Sequence, residues 1–223
     1  MQSNGKVAVL AEKDGWISQF RPEFSETVKN AGFDFQWATD PSDVSDARFC
    51  FVLGYTKIIK ENILNSDCKF FVVHESALPK GRGWSPLTWQ VLEGESAITV
   101  SLIEAVVPVD SGPIVGQTII KLCGSELVDD LRRHQSLATL HLLRGFLSNP
   151  KEAQQVAKDQ KGAATWYERR RPPDSKLDIN KTIAEQFNLL RVVDNDRYPA
   201  WFDYGGERYV IKISKESQVS IDE

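Results

Sequence analysis

Cysteine is scarce in this 223-residue chain: Cys50, Cys68 and Cys123 are widely spaced, odd in number and without a Cys-x-x-Cys pair. That argues against a disulfide framework and against a cysteine-built metal site, and it suits reduced thiols in the cytoplasm. Long apolar runs are missing too. The start, MQSNGKVAVLAEKDG, holds one short run before charge returns, and nothing approaches the ~18 apolar residues of a membrane span, so neither export nor membrane insertion is expected. Positive charge is not in excess: 27 Lys+Arg against 31 Asp+Glu leave a net charge of −4, which argues against a nucleic-acid partner. There is no internal repeat and no low-complexity tract. The remaining composition, 41% hydrophobic, 10% aromatic and 26% charged, is that of a folded chain, and its length suits one domain or one domain with a small appendage.

The pattern along the chain predicts an α/β fold. KVAVLA at 6–11 followed by EKDG reads as a buried parallel strand leaving for a loop in ligand territory. Pro22, Phe24, Val28 and Ala31 recur at helical spacing up to Gly32, and FDFQWA is the next strand. RFCFVLGY, a short helix at Ile58–Leu64 and the strand KFFVVH at 69–74 continue the alternation, which implies a mainly parallel sheet in a Rossmann-like three-layer sandwich. A helix is expected at Leu87–Leu92, then two strands in AITVSLIEAVVPVDSGPIVGQTIIKL joined by a turn at Asp110-Ser111-Gly112. Ser125 is expected to cap a long helix that turns Leu127, Leu131, Ala138, Leu142 and Phe146 to the sheet and Asp129, Arg132 and Arg133 to water. His134 and His141 share a face of it without a third ligand, so no metal is expected.

Composition turns polar from Lys151 to Gly162, and WYERRRPPDSKLDIN follows. A boundary near 162 divides residues 1–162, the main domain, from 163–223, a small C-terminal β-containing extension. The extension carries an Arg-rich segment, a helix at Ile183–Val193, a hairpin at Gly205-Gly206 and a fraying tail, ESQVSIDE. A homodimer is one use for such an extension.

The chemistry concentrates where His74 ends a strand and runs into Glu75-Ser76-Ala77-Leu78-Pro79-Lys80-Gly81-Arg82-Gly83-Trp84-Ser85-Pro86. A polar residue at a strand's carboxyl end points into the crevice where α/β proteins bind ligands. Asp110 tips the later hairpin; a carboxylate beside an imidazole can orient the ring and take a proton. Glu75 is an additional carboxylate, sent by strand alternation to the side opposite His74, and Ser76 either donates to a substrate or closes the turn. Gly81 and Gly83 permit close backbone approach, while Lys80 and Arg82 offer charge. Trp84 and Trp16 are indoles in loops, either covering a ligand or packing. Arg169, Arg170 and Arg171, followed by Pro-Pro-Asp, suit either a solvated face or a clamp on phosphate oxygens.

HESALPKGRGWSPLTWQVLEGE followed by ITVSLIEAVVPVDSGPIVGQ resembles the folate-dependent formyltransferases, which share a histidine before Ser-x-Leu-Pro and a later Val-Asp-x-Gly-x-Ile. LGYTKIIKENIL is similar to that family's Tyr-x-x-Ile segment, so the resemblance runs in order over residues 6–147; WYERRRPPDSKLDIN and NLLR resemble the segment beyond the catalytic domain in sugar-nucleotide N-formyltransferases of the pseudaminic-acid type. The resemblance implies formyl transfer from 10-formyltetrahydrofolate to the amine of a nucleotide-linked amino sugar, a small-molecule substrate, without a metal. It also implies His74 and Asp110 as catalytic residues with Glu75 and Ser76 in support. Tyr55, Ile58, Leu78, Arg82, Gly83 and Glu104 would hold the folate, and Trp16, Lys80, Trp84, Arg170 and Arg171 the acceptor. The family's asparagine, two residues before the histidine, is Val72 here, which removes an oxyanion donor. Two other readings are a methionyl-tRNA formyltransferase-like enzyme, for which the chain is acidic, and a folate- or nucleotide-binding module impaired in catalysis.

Overall fold

The computed structural model describes residues 3–216, so most of the expected frayed tail lies outside the described residues. Six strands form the central sheet: β1 (Lys6–Leu10), β2 (Asp34–Ala38), β3 (Phe49–Val52), β4 (Lys69–His74), and, past a two-residue strand β5 (Arg82–Gly83), β6 (Ala97–Glu104) and β7 (Ile114–Lys121). Their order is β2-β1-β3-β4-β6-β7, with the first four mutually parallel and β6 antiparallel to both neighbours. The chain moves from β1 outward to β2 and returns to β3 on the other side, which puts a topological switch between β1 and β3.

Helices α1 (Arg21–Asn30), α2 (Glu61–Leu64), α3 (Pro86–Leu92), α4 (Val128–Ser148) and α5 (Pro150–Gln155) complete the main body. Alternation along β4 sends Phe71 and Val73 to the core beneath α1 and α4, and Phe70 and Val72 to a second core with Cys50 and Cys68. Phe146 of α4 wedges into Phe49, Phe51 and Phe71, at ring-centroid distances of 5.1, 5.4 and 4.5 Å. Such aromatic contacts add to the burial of their area.

Four local expectations need correction. The helix after β3 starts at Glu61 rather than Ile58, because Lys60 is extended; Ile58 is 81% exposed. The long helix starts at Val128, not after Ser125, where the Leu127 N–H donates to the Asp130 carboxylate at 3.0 Å. Arg132 pairs with Asp194 at 2.6 Å instead of facing water. Ile183–Val193 is a 3-10 turn at Ala184–Gln186 running into α6 (Phe187–Val192), not a single helix.

Beyond residue 162 come β8 (Trp166–Tyr167), α6 and the antiparallel hairpin β9 (Ala200–Tyr204) and β10 (Glu207–Ile211) around Gly205-Gly206. Strand β8 pairs in parallel with β5, so backbone bonds cross residue 162: Arg82 N–H donates to Thr165 O at 2.9 Å and Trp84 N–H to Tyr167 O at 3.1 Å. Helix α6 is docked by a buried ion pair, Arg191 Nη2 to Glu126 Oε2 at 2.8 Å. Burial pushes the Glu126 carboxyl up, but the N–H groups of Cys123 and Gly124 outweigh it and hold it at about 2. A depressed carboxylate contributes stability above its unfolded value of 4.5, lost as pH falls toward 2. Arg191→Met should destabilise by about 3–5 kcal/mol at pH 7 in urea titrations, because it strands a buried charge.

Candidate active site

His74 is the last residue of β4, at the carboxyl edge of the parallel strands and beside the switch crevice. It is buried, and its row continues across the sheet: Ser101 of β6 lies directly opposite, and Gln117 of β7 opposite Ser101. Gln117 Nε2 donates to Ser101 Oγ at 2.9 Å, and Ser101 Oγ donates to Ser76 O at 2.7 Å. The two imidazole nitrogens both meet acceptors. Nε2–H donates to Gly81 O at 2.8 Å, while Nδ1 faces Asp110 Oδ1 at 3.8 Å, an electrostatic contact longer than a hydrogen bond.

Asp110 reaches that position indirectly. Because β6 is antiparallel, its end at Glu104 is level with Phe71, three residues short of His74. Loop 105–113 must fold back to carry Asp110 to the ring. Gly112 makes the return possible: a Cβ there would stand 1.9 Å from Glu104 O. Asp110 is buried at φ +58°, a left-handed conformation that a non-glycine residue keeps only when its surroundings hold it. Its other oxygen, Oδ2, accepts from Gly83 N–H at 2.9 Å.

Gly83 has φ +96°, and a Cβ would sit 2.4 Å from Tyr167 O, so only glycine pairs with β8 here. Gly81 likewise leaves room for the Tyr167 ring and Ser76. The Ser76 hydroxyl is buried without a hydrogen-bond partner, a polar atom available to a ligand beside His74. Leu78 is buried beneath this loop and Lys80 is exposed. Trp84 is partly exposed, with the Arg169 guanidinium 4.8 Å over its ring. Arg82 is drawn to Gln160 and lies 5.7 Å from the ring centroid of Trp166.

The remaining sequence candidates divide. Tyr55 and Ile58 follow β3 and Trp16 follows β1, so all three sit by the switch, where Glu12 accepts from Thr56 and ties the two loops. Val72 is half-buried on the His74 side, opposite Val52 and Ile103, and presents no donor there. Arg170 turns its guanidinium to Asp174 O at 3.0 Å and is half-buried, so it is neither part of a freely solvated face nor an open clamp, the two uses its run allowed; Arg171 is exposed. Sequence reasoning missed Ser101, Gln117, Gln160 and Tyr167, since nothing in a strand or a polar linker marks such partners. Among the described residues, no cluster of three or more His, Cys, Asp or Glu is placed to hold a metal, and no helix is long and apolar enough to cross a membrane.

Glu75 lies on the opposite side, as alternation requires, where Gln135 of α4 donates to it at 2.5 Å. Burial pushes its carboxyl up from the ordinary value of 4.5, against the favourable influence of His74 and the Gln135 amide. A carboxyl raised in the folded state supports stability below the unfolded value and less as pH rises through the folded one. Glu75→Gln keeps the acceptor for Gln135, so it should raise the urea midpoint at pH 8 and give no advantage at pH 4.

No family model matches the chain. Solved structures do. A methionyl-tRNA formyltransferase from Clostridium thermocellum superposes with a TM-score of 0.78 at 18% identity, covering 96% of this chain and 94% of that one. HypX from Aquifex aeolicus in complex with tetrahydrofolic acid gives 0.77 at 14% identity over 95% of this chain and 38% of that one. A sugar N-formyltransferase from a Shewanella species gives 0.65 at 14% identity over 96% and 98%. The architecture is therefore the formyltransferase fold, a mainly parallel sheet flanked by helices with added C-terminal strands. Its structural neighbours include a sugar N-formyltransferase and a tetrahydrofolate-bound protein.

Proposed function

We propose that the protein is a folate-dependent N-formyltransferase acting in the cytoplasm on the amine of a nucleotide-linked amino sugar, with a UDP-linked 4-amino-4,6-dideoxy sugar of a pseudaminic-acid-type route as the specific acceptor. The observation that carries this reading is the meeting of His74 and Asp110 at the carboxyl edge of β4 in a formyltransferase fold, 3.8 Å apart. Residues 1–162 form the catalytic unit in this reading and 163–223 the extension, serviceable for a homodimer.

The donor, 10-formyltetrahydrofolate, supplies the formyl group. The chain's own groups suit it: exposed Ile58 and half-buried Tyr55 offer apolar surface at the switch crevice, with Leu78, Arg82, Gly83 and Glu104 along the loops toward His74, where the orphaned Ser76 hydroxyl waits. His74 Nε2–H, held by Gly81 O, is the donor that turns to the formyl oxygen as negative charge grows there. With an apolar Val72, His74 carries that task without a neighbouring amide. Asp110 takes a proton from the acceptor's ammonium, directly or through water, so that the freed amine attacks the formyl carbon, and it returns that proton to the folate nitrogen as the bond from that nitrogen to the formyl carbon breaks. Glu75, turned to Gln135, supports the strand end rather than touching substrate. Trp16, Lys80, Trp84 and Arg171 are the acceptor's contacts; Arg170 braces the turn that presents Arg171.

A methionyl-tRNA acceptor is the second reading, favoured by the Clostridium thermocellum likeness and opposed by a net charge of −4. Purified protein incubated with 10-formyltetrahydrofolate and UDP-, dTDP- and GDP-linked amino sugars, or with charged tRNA, should add about 28 Da to one nucleotide sugar and nothing with His74→Ala. Folate binding without transfer to any amine would favour an impaired binding module. Asp110→Asn should lower kcat by about 10²–10⁴-fold while the dissociation constant for the folate stays nearly unchanged, because the base is lost and the shape kept.

A further inference from the structure

Gln160 lies in the polar stretch between α5 and β8, and its side-chain amide is committed wholly to the site. Nε2 donates to the Asp110 carbonyl at 2.9 Å and to the Gly112 carbonyl at 2.9 Å. Oε1 accepts from Arg82 Nε at 3.2 Å and Nη2 at 2.6 Å. The next residue, Gly83, donates its N–H to Asp110 Oδ2. The contacts close a ring that leaves the Asp110 backbone through Gln160, passes Arg82 and Gly83, and returns to the Asp110 carboxylate.

Gln160 is itself held from both sides. Two residues earlier Lys158 exchanges backbone hydrogen bonds with Ile114 at 2.8 and 2.9 Å, and five residues later Thr165 O accepts from Arg82 N–H. Asp110 needs such a hold, since its left-handed backbone is not maintained by local preference. We propose that Gln160 is a positioning residue: its amide donors seat the Asp110–Gly112 turn, set the Asp110 carboxylate against His74, and couple that setting to Arg82. The inference deepens the reading of Asp110 as the site's carboxylate and rests on it. The chemistry is specific to an amide. Glutamate would accept from Arg82 but set an anion against two carbonyl oxygens, and lysine would donate to the carbonyls but repel the guanidinium.

The test compares ¹H–¹⁵N spectra of wild type, Asp110→Asn, Gln160→Ala and Gln160→Glu, with the Gly83 amide as reporter. A proton donated to a carboxylate resonates downfield, so Asp110→Asn moves this signal upfield. Both Gln160 variants should move it in that same direction while amides of α4 and β1–β3 stay in place, which separates loss of positioning from loss of fold. In formyl transfer, both should lower kcat by at least about tenfold with KM for 10-formyltetrahydrofolate within about threefold. An unmoved Gly83 amide in either variant, or a moved one with unchanged kcat, overturns the proposal. If the wild type transfers no formyl group, the functional reading alone falls, and the Gly83 signal still decides whether Gln160 holds Asp110.

Discussion

Two backbone segments can pair only where no side chain stands between them, and at Gly83 the carbonyl of Tyr167 occupies the space a Cβ would need. The rest of the site depends on that close approach. It lets β8, remote in sequence, lie parallel to β5, brings the Tyr167 ring over Gly81, and aims the Gly83 N–H at Asp110. A side chain at 83 would push the two strands apart and release Asp110 at once. Gly112 makes a second such approach, against Glu104 O, and fixes where loop 105–113 turns back. Two glycines thus set the distance between an imidazole and a carboxylate that neither contains.

The electrostatics of the site follow from its burial. His74 and Asp110 are each almost covered, so every polar atom near them must find a partner or remain costly. Gly81 O, Gly83 N–H, Ser101 and Gln117 meet most of that demand, and the Ser76 hydroxyl is left over. A ligand entering here exchanges contacts rather than creating them: the His74 N–H must leave Gly81 O to reach any oxygen a ligand brings. Moving a buried hydrogen bond from one acceptor to another costs far less than leaving the donor buried and unpaired, so a closed resting arrangement can still give way to a ligand.

The sheet order explains why these groups converge at one edge. The switch between β1 and β3 opens a crevice at the carboxyl ends of the strands, and His74 ends the next strand over. Tyr55, Ile58 and Trp16 fall in the loops at this edge because they follow β3 and β1. Ile58, which local pattern assigns to a helix, is instead an exposed apolar side chain beside it. Helix α4 lies on the other face, where Gln135 engages Glu75, so two adjacent carboxyl-edge residues serve opposite sides of one sheet.

By itself the sequence determined the local periods: apolar runs that become parallel strands, a glycine pair that turns the last hairpin, His74 at a strand end, and the opposite facing of Glu75. These are decided by steric rules that act within a few residues, and they can be read without the fold. Helix starts at Glu61 and Val128 were less legible, because an extended Lys60 and an Asp130–Leu127 bond overrode spacing and a serine. The remaining contacts were settled by packing between distant segments. That loop 105–113 folds back to His74, that Arg132 turns inward to Asp194, and that Gln160 lands between Asp110 and Arg82 all depend on how distant elements pack, strand register included. Register is set by how whole faces pack, and no residue carries a local mark of the partner it will meet across 50 or 78 positions of chain.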